Sequence, residues 1–393
     1  MGEQATRIAT RGKRLLADLV GFDTVSHRSN LDLIAYIESY FKELGVATER
    51  VYNEEMTKAN LFATIGPETD GGLILSGHVD VVPVEGQAWT HDPFDLIERD
   101  GRLFGRGSCD MKGFVAMALA AAPEFQRADL KRPIHFAISY DEEVGCIGVR
   151  GLIGELNGRA MRPAMCIVGE PTSMQPVVAH KGKWSYRAEV TGLERHSSLA
   201  PQGVNAVEYA AEAITFLRRL GREKIASGAR DEMFDLPHTT VHVGVVAGGS
   251  AVNIVPNHCN FDFEWRYIPA DRPEDIMARF QTFLREELEP EMKAIDPACG
   301  FTLIERSVIP GLEIDAGHEV VRLAKACASR NDHGKVAYGT EAGLFQELGQ
   351  IPTVVCGPGD IAQAHRPDEF IALEQIDKAG VFFENLVDRW ANA

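Results

Sequence analysis

Four short apolar runs constrain this chain more than any other feature: GLILSGHV (72–79), PIHFAISY (133–140), AMCIVGE (164–170) and IPTVVCG (351–357). Near-continuous apolar runs of this length read as strands buried on both faces. Helical stretches lie between some of them, among them MKGFVAMALAAAPEFQ (111–126). Strands alternating with helices predict an α/β sheet with a substantial parallel part, because parallel neighbours need a crossover that a helix supplies. Residues 12–45 read as two more helices around a turn, with Leu33, Ile34, Ile37, Tyr40, Phe41 and Leu44 recurring at helical spacing.

The middle of the chain changes character. WSYRAEV puts Trp184, Tyr186, Ala188 and Val190 on one face, and TVHVGVV does the same with Val241, Val243 and Val245. NFDFEWRY alternates Phe261, Phe263, Trp265 and Tyr267 against Asp262, Glu264 and Arg266. Period-two alternation marks a sheet buried on one side only. Two amphipathic helices intervene. One runs over 205–220 with Val207, Ala210, Ile214 and Leu217 inward; the other follows Pro273 with Ile276, Phe280, Phe283 and Leu284 inward. A last strand at 300–309 completes the order β-α-β-β-α-β, a split βαβ unit. The expected organisation is therefore an inserted domain at 182–310 interrupting an α/β domain made of 1–181 and 311–393, which resumes with a helix at 318–330.

Composition narrows the class. A net charge of −17 argues against a nucleic-acid partner, since phosphate binding needs a basic surface. The seven cysteines form no C-x-x-C pair and are odd in number, which fits reduced thiols in a cytoplasmic setting. The longest apolar runs stop far short of a membrane span, and no signal peptide is apparent.

Acids and imidazoles follow the apolar runs. His78 and Asp80 stand in SGHVDVVP, Asp110 in GRGSCDMKG at the start of a helix, Glu142 and Glu143 after HFAISYD, Glu170 after AMCIVG, and His365 in a loop after TVVCGPG. Open α/β sheets bind ligands past the carboxyl ends of their strands. Two imidazoles and several carboxylates are the nitrogen and oxygen donors that zinc accepts. A carboxylate bridging two ions would let both act on one water, and a spare carboxylate would move its proton. Glu142 and Glu143 are candidates to divide those two jobs. The Asp80 carboxylate is placed to hold the second nitrogen of His78.

In this order the motifs resemble the co-catalytic metallopeptidase family of acetylornithine deacetylase, succinyl-diaminopimelate desuccinylase, aminoacylase and carboxypeptidase G, over essentially the whole chain. The resemblance implies a metallopeptidase-type α/β catalytic domain with a mixed, largely parallel sheet, plus a ferredoxin-like α+β lid and dimerisation domain. It implies two divalent ions, zinc first and cobalt as the alternative. By it His78, Asp110 and Glu170 bind one ion, Asp110, Glu143 and His365 bind the other, Asp110 bridges, Glu142 is the general base and Asp80 orients His78. The Asp110–Met111 peptide is then cis.

Further positions follow from the same likeness. His196 in RHSSLAP matches a histidine that crosses into a partner's active site and stabilises the oxyanion, which implies a homodimer through the lid domain. Asn253 in AVNIVP and Arg266 in EWRYIP match residues that hold the substrate carboxylate; Arg266 has a simpler alternative in pairing with Glu264 or Asp262. Gly339 and Thr340 match a G-T loop at the pocket. The phrases GRGSCDMKGF, YGTEAG and VVCGPGDIAQAHRPDEF are similar to the acetylornithine deacetylase branch, and Glu341 stands where the desuccinylases begin an Asp-Gly-Arg segment. Glu341 is then a candidate partner for a substrate side-chain ammonium. The implied reaction is hydrolysis of N-acetylornithine to ornithine and acetate, in arginine synthesis. A broader N-acyl amino acid hydrolase, a desuccinylase, a dipeptidase or a non-catalytic scaffold relative are the alternatives.

Overall fold

The computed structural model describes residues 1–391. The four apolar runs form the parallel heart of a nine-stranded sheet. Ile134–Ser139, Leu73–His78, Met165–Pro171 and Thr353–Gly357 lie side by side in that order, each parallel to its neighbours. Every residue of these four strands is buried, as a doubly covered sheet requires. Ala59–Ile65 and Thr48–Tyr52 extend the sheet antiparallel on one side, and Val177–His180 pairs antiparallel on the other.

Helices cover the faces. Lys112–Arg127 is buried from Lys112 through Phe125, because its sequence is apolar all round and only a central position accommodates that. Glu3–Val20 and Leu373–Ala391 pack against it. The first helix begins at Glu3, nine residues before the expected start at 12. Its early turns bury Ala5, Ile8 and Ala9, a single large apolar side chain between two small ones, so the periodic signal is weak. Leu31–Glu43 and Glu319–Cys327 occupy the places where helical spacing puts them.

Compactness divides the chain into two units: Met1–Ala179 with Leu312–Lys335 and the chain from Thr340 onward, and His180–Gly311 with Val336–Gly339. The second unit carries a four-stranded antiparallel sheet in the order Thr240–Gly248, His258–Tyr267, Gly182–Thr191, Gly300–Ile309. Helices Ala206–Ser227 and Pro273–Phe283 pack with it through Phe216, Leu217, Phe261, Phe263, Trp265 and Phe280. Phe261, Phe263, Trp265 and Tyr267 alternate inward.

Two details differ from the sequence reading. The pairing slips between Val243 and Val245, so Gly244 is an extra residue in a bulge and the alternation breaks there. Val245 and its neighbour Val246 are 51% and 60% exposed. On helix Ala206–Ser227 the inward stripe is Ala206, Ala210, Ala213, Leu217 and Leu220, while Val207 is 37% exposed. Alanines in the first two turns and Phe216, Leu217 and Leu220 further on make up the buried face. Among the described residues all seven cysteines are buried and unbridged, and no helix is long and apolar enough to cross a membrane.

Candidate metal centre

The site is assembled at the carboxyl ends of the parallel strands. His78 is the last residue of Leu73–His78, and Glu170 lies near the end of Met165–Pro171. Glu142 and Glu143 follow Ile134–Ser139 in a turn opened by Asp141 at φ 55°. Asp110 stands just ahead of the helix Lys112–Arg127, and the Asp110–Met111 peptide is cis. His365 comes from the loop after Thr353–Gly357, with φ 62° and an exposed ring.

Asp110 stands between the two imidazoles. Its Oδ1 lies 3.2 Å from Nε2 of His78 and its Oδ2 3.3 Å from Nε2 of His365. Glu170 Oε1 is 3.8 Å from His78 Nε2, and Glu143 Oε2 is 2.9 Å from His365 Nε2. Two groups of three donors result, His78–Asp110–Glu170 and Asp110–Glu143–His365, each with ligand atoms within 4.8 Å of one another and sharing Asp110. Nδ1 of His78 approaches the main-chain carbonyl of Asp80 at 2.9 Å and the Asp80 carboxylate at 3.4 Å. That carboxylate also holds the neighbouring turn: it accepts the amides of Glu142 and Glu143 at 3.1 and 3.3 Å and the Ser26 hydroxyl at 2.8 Å. The Cys146 thiol donates to Glu142 Oε1 at 3.2 Å.

Burial and crowding set the electrostatics. Burial lifts Glu142 to about 8, with Glu143, Glu341 and Asp110 adding repulsion against the pull of His78. Glu143 rises to about 7, again chiefly through burial and then the Asp110 charge. Burial and Asp110 push Glu170 well above the carboxylate range. Burial opposes the charge on Asp110, yet its bonds to His365 and His78 hold its pKa down. Asp110 and Glu143 raise His365 to about 10. The cluster carries more carboxylate than two imidazoles balance, and that surplus with its nitrogen and oxygen donors fits two divalent cations.

A pH dependence follows. Without cations Glu143 and Glu170 hold protons above the ordinary carboxylate range and His78 and His365 above the ordinary imidazole range, so binding must displace protons. Affinity should therefore rise with pH. Calorimetric zinc titrations in buffers of different ionisation enthalpy read the released protons; uptake on binding, or an affinity independent of pH from 6 to 8, would contradict this.

Peptidase family M20/M25/M40 matches residues 74–389. The chain belongs to this family. Among curated proteins it is 39% identical over 366 residues to an acetylornithine deacetylase of Myxococcus xanthus, covering 92% of each chain. It is 36% identical to the acetylornithine deacetylase of Photorhabdus laumondii, covering 92% of this chain and 91% of that one. Among solved structures, human carnosine dipeptidase 1 superposes with a TM-score of 0.74 at 16% identity, covering 99% of both chains. A metallo-carboxypeptidase of the M20 family from Sulfolobus solfataricus gives 0.73 at 18% identity over the full length of both.

The other positions with expected family roles fall in different surroundings. In the second unit His196 and Asn253 are exposed neighbours: Arg195–His196 pairs with Ile254–Val255, and the Ser197 amide donates to the Asn253 carbonyl at 2.9 Å. Arg266 places Nε 2.9 Å from Glu264 Oε1, and Asp262 pairs with Arg187. Gly339 packs near Ile309 and the Lys181 carbonyl. Thr340 is fully buried and its hydroxyl accepts the Ala342 amide at the start of helix Ala342–Glu347. Glu341 requires a correction. Its side chain has no exposure, Oε2 lies 3.4 Å from the Ser76 hydroxyl, and Oε1 has no hydrogen-bond partner among the described residues. A carboxylate enclosed behind the central strands is not presented to a substrate ammonium. Its effect is electrostatic, as one of the charges that raise Glu142.

Sequence reasoning passed over Ser26, Cys146 and Glu369. Ser26 and Cys146 are single polar residues whose partners lie on distant or tightly turned chain, and neither stands in a pattern. Glu369 lies four residues after His365 inside HRPDEF, where proximity to a ligand was the available signal.

Proposed function

We propose that this M20 hydrolase deacetylates N-acetylornithine, giving ornithine and acetate, with two divalent ions, zinc first, held by His78, Asp110, Glu143, Glu170 and His365. The observation that carries the reading is the Asp110 carboxylate, one oxygen turned to each imidazole at 3.2 and 3.3 Å. Bound ions supply Lewis acidity, polarising an amide carbonyl and making water a better proton donor. Glu142 is the proton carrier. Set beside the donors without being needed as one, it accepts a proton from water and returns it to the leaving nitrogen. Asp80 keeps the Glu142–Glu143 turn in place through both carboxylate oxygens.

The substrate rests on the acetylornithine deacetylases at 36–39% identity. We assign oxyanion and carboxylate contacts to His196, Asn253 and Arg266, and a role at the pocket rim to Gly339. His196 and Asn253, being exposed side by side, are available to a substrate or to a second chain. We place the homodimer contact on the second unit, where the sheet-edge strand Thr240–Gly248 carries the exposed Val245 and Val246. Sedimentation of the purified chain tests this. Unbridged thiols fit a cytoplasmic enzyme.

Turnover with added zinc or cobalt decides the specificity. N-acetylornithine should exceed N-succinyl-diaminopimelate and neutral N-acetyl amino acids by roughly 10-fold or more in kcat/KM. Equal rates on neutral acetyl amino acids would replace it with a broad acylase, and activity that survives thorough chelation would remove the metal reading.

A further inference from the structure

Behind the shared aspartate lies another enclosed acid. Glu369 is 1% exposed, and its two oxygens collect the amides of the loop that delivers Asp110. Oε1 accepts from Cys109 at 2.8 Å and from Asp110 itself at 3.0 Å; Oε2 accepts from Gly107 at 3.1 Å. The same Oε2 receives Nη1 of Arg106 at 2.7 Å, and Arg106 is likewise 1% exposed. Arg106 lies 5.0 Å from the centre of the Trp89 ring and donates through Nη2 to Gln87 Oε1. Gln87 in turn donates from Nε2 to the main-chain carbonyl of His365 at 3.1 Å. A continuous chain of polar contacts thus joins the backbone at Asp110 to the backbone at His365, through side chains that are not themselves cation donors.

The need for such a device follows from where the ligands sit. His78 and Glu170 belong to central strands, whose ladders hold them. Asp110 and His365 come from irregular chain, and His365 is exposed and at positive φ. Two loops meet on a donor group that tolerates little misplacement. A carboxylate gathering three amides and a guanidinium fastens such a loop with charge-assisted bonds, which are stronger than neutral ones.

We propose that Glu369, with Arg106 and Gln87, is a positioning residue of the metal centre: it sets the approach of Asp110 to His365 and thereby the affinity of the Asp110–Glu143–His365 group. The proposal rests on the metal-hydrolase reading above. Partners behind metal ligands typically change metal affinity by about 10- to 100-fold when removed.

The test uses the whole enzyme. Glu369→Gln keeps the size and one carbonyl acceptor while removing the charge. Zinc competition against a chromophoric chelator should show one of two ions bound about 10- to 100-fold more weakly, and the cobalt-substituted variant should show an altered visible spectrum. Glu124→Gln is the control. It breaks another buried acid–arginine set, Glu124 with Arg11 and Arg127, and should lower stability while leaving both zinc affinities as in the parent. If Glu369→Gln binds both ions as tightly as the parent, or if Glu124→Gln weakens them equally, the positioning role is wrong and the hydrolase reading stands. A parent enzyme that binds no zinc overturns both. Should Glu369→Gln fail to fold, Gln87→Leu cuts the same chain without burying a charge. It should weaken one zinc ion severalfold, and unchanged affinity overturns the proposal.

Discussion

Asp110→Asn should abolish turnover to background and leave a protein that no longer retains two cations per chain. Asn keeps the shape and one carbonyl oxygen, but an amide nitrogen presents hydrogens where the second donor oxygen was. Both donor groups share this residue, so both are damaged by one substitution. The metal-free protein should suffer as well. Asp110 is 6% exposed and is paired with two imidazoles that it holds in the charged form. Breaking the buried pair with His78 by removing one partner costs roughly 3–5 kcal/mol, and the bond to the exposed His365 adds little. Metal content after gel filtration, activity, and denaturant unfolding in chelator measure the three effects. Two retained ions and appreciable turnover would show that Asp110 is not shared.

Glu142→Gln should act in the opposite manner, sparing the ions and removing the chemistry. Glu142 belongs to neither donor group. Loss of a general acid–base residue typically lowers the rate about 10²–10⁴-fold, and here the loss should fall on kcat with little change in KM. The pH profile separates this from a structural defect. Burial raises the Glu142 carboxyl to about 8 in the metal-free cluster, and nearby cations draw it lower by favouring the charged form. A proton acceptor must be ionised, so the parent's rate should climb with pH on the acid side, and the variant should lose the part of that limb due to Glu142. A variant with near-parental kcat would transfer the proton work to another residue, Glu143 first.

Much of the catalytic half was legible because its chemistry and its architecture coincide. The runs ending at His78 and Glu170 are recognisable strands, and the polar residue that terminates each is the one the sheet delivers to the site. His365 stands farther from its strand, since a loop separates it from Thr353–Gly357, and its place in a particular donor group came from the family resemblance. The unread parts share a physical cause. The start of Glu3–Val20 buries Ile8 alone among large side chains, with Ala5 and Ala9, which leaves little periodic trace, and the bulge at Gly244 obeys pairing constraints set by a different strand. Glu341 misled because a charged residue in a loop suggests exposure, whereas this one is enclosed behind Ser76. The Asp80 carboxylate stands 3.4 Å from Nδ1 of His78 and, beyond what was expected, also accepts the Glu142 and Glu143 amides. Main-chain bonds of that sort carry no side-chain signature at the receiving position.

The donors are drawn from positions as far apart as 78 and 365, and this separation governs when a cation can arrive. Unlike a zinc finger, whose ligands sit close in sequence and whose ion organises the chain, this chain must complete its tertiary structure before a full set of donors exists. A ribosome-bound fragment lacking its last few dozen residues has no His365 to offer. On the proposed ligand set loading follows folding, and by mass action resistance to unfolding should track the free concentration of the divalent cation.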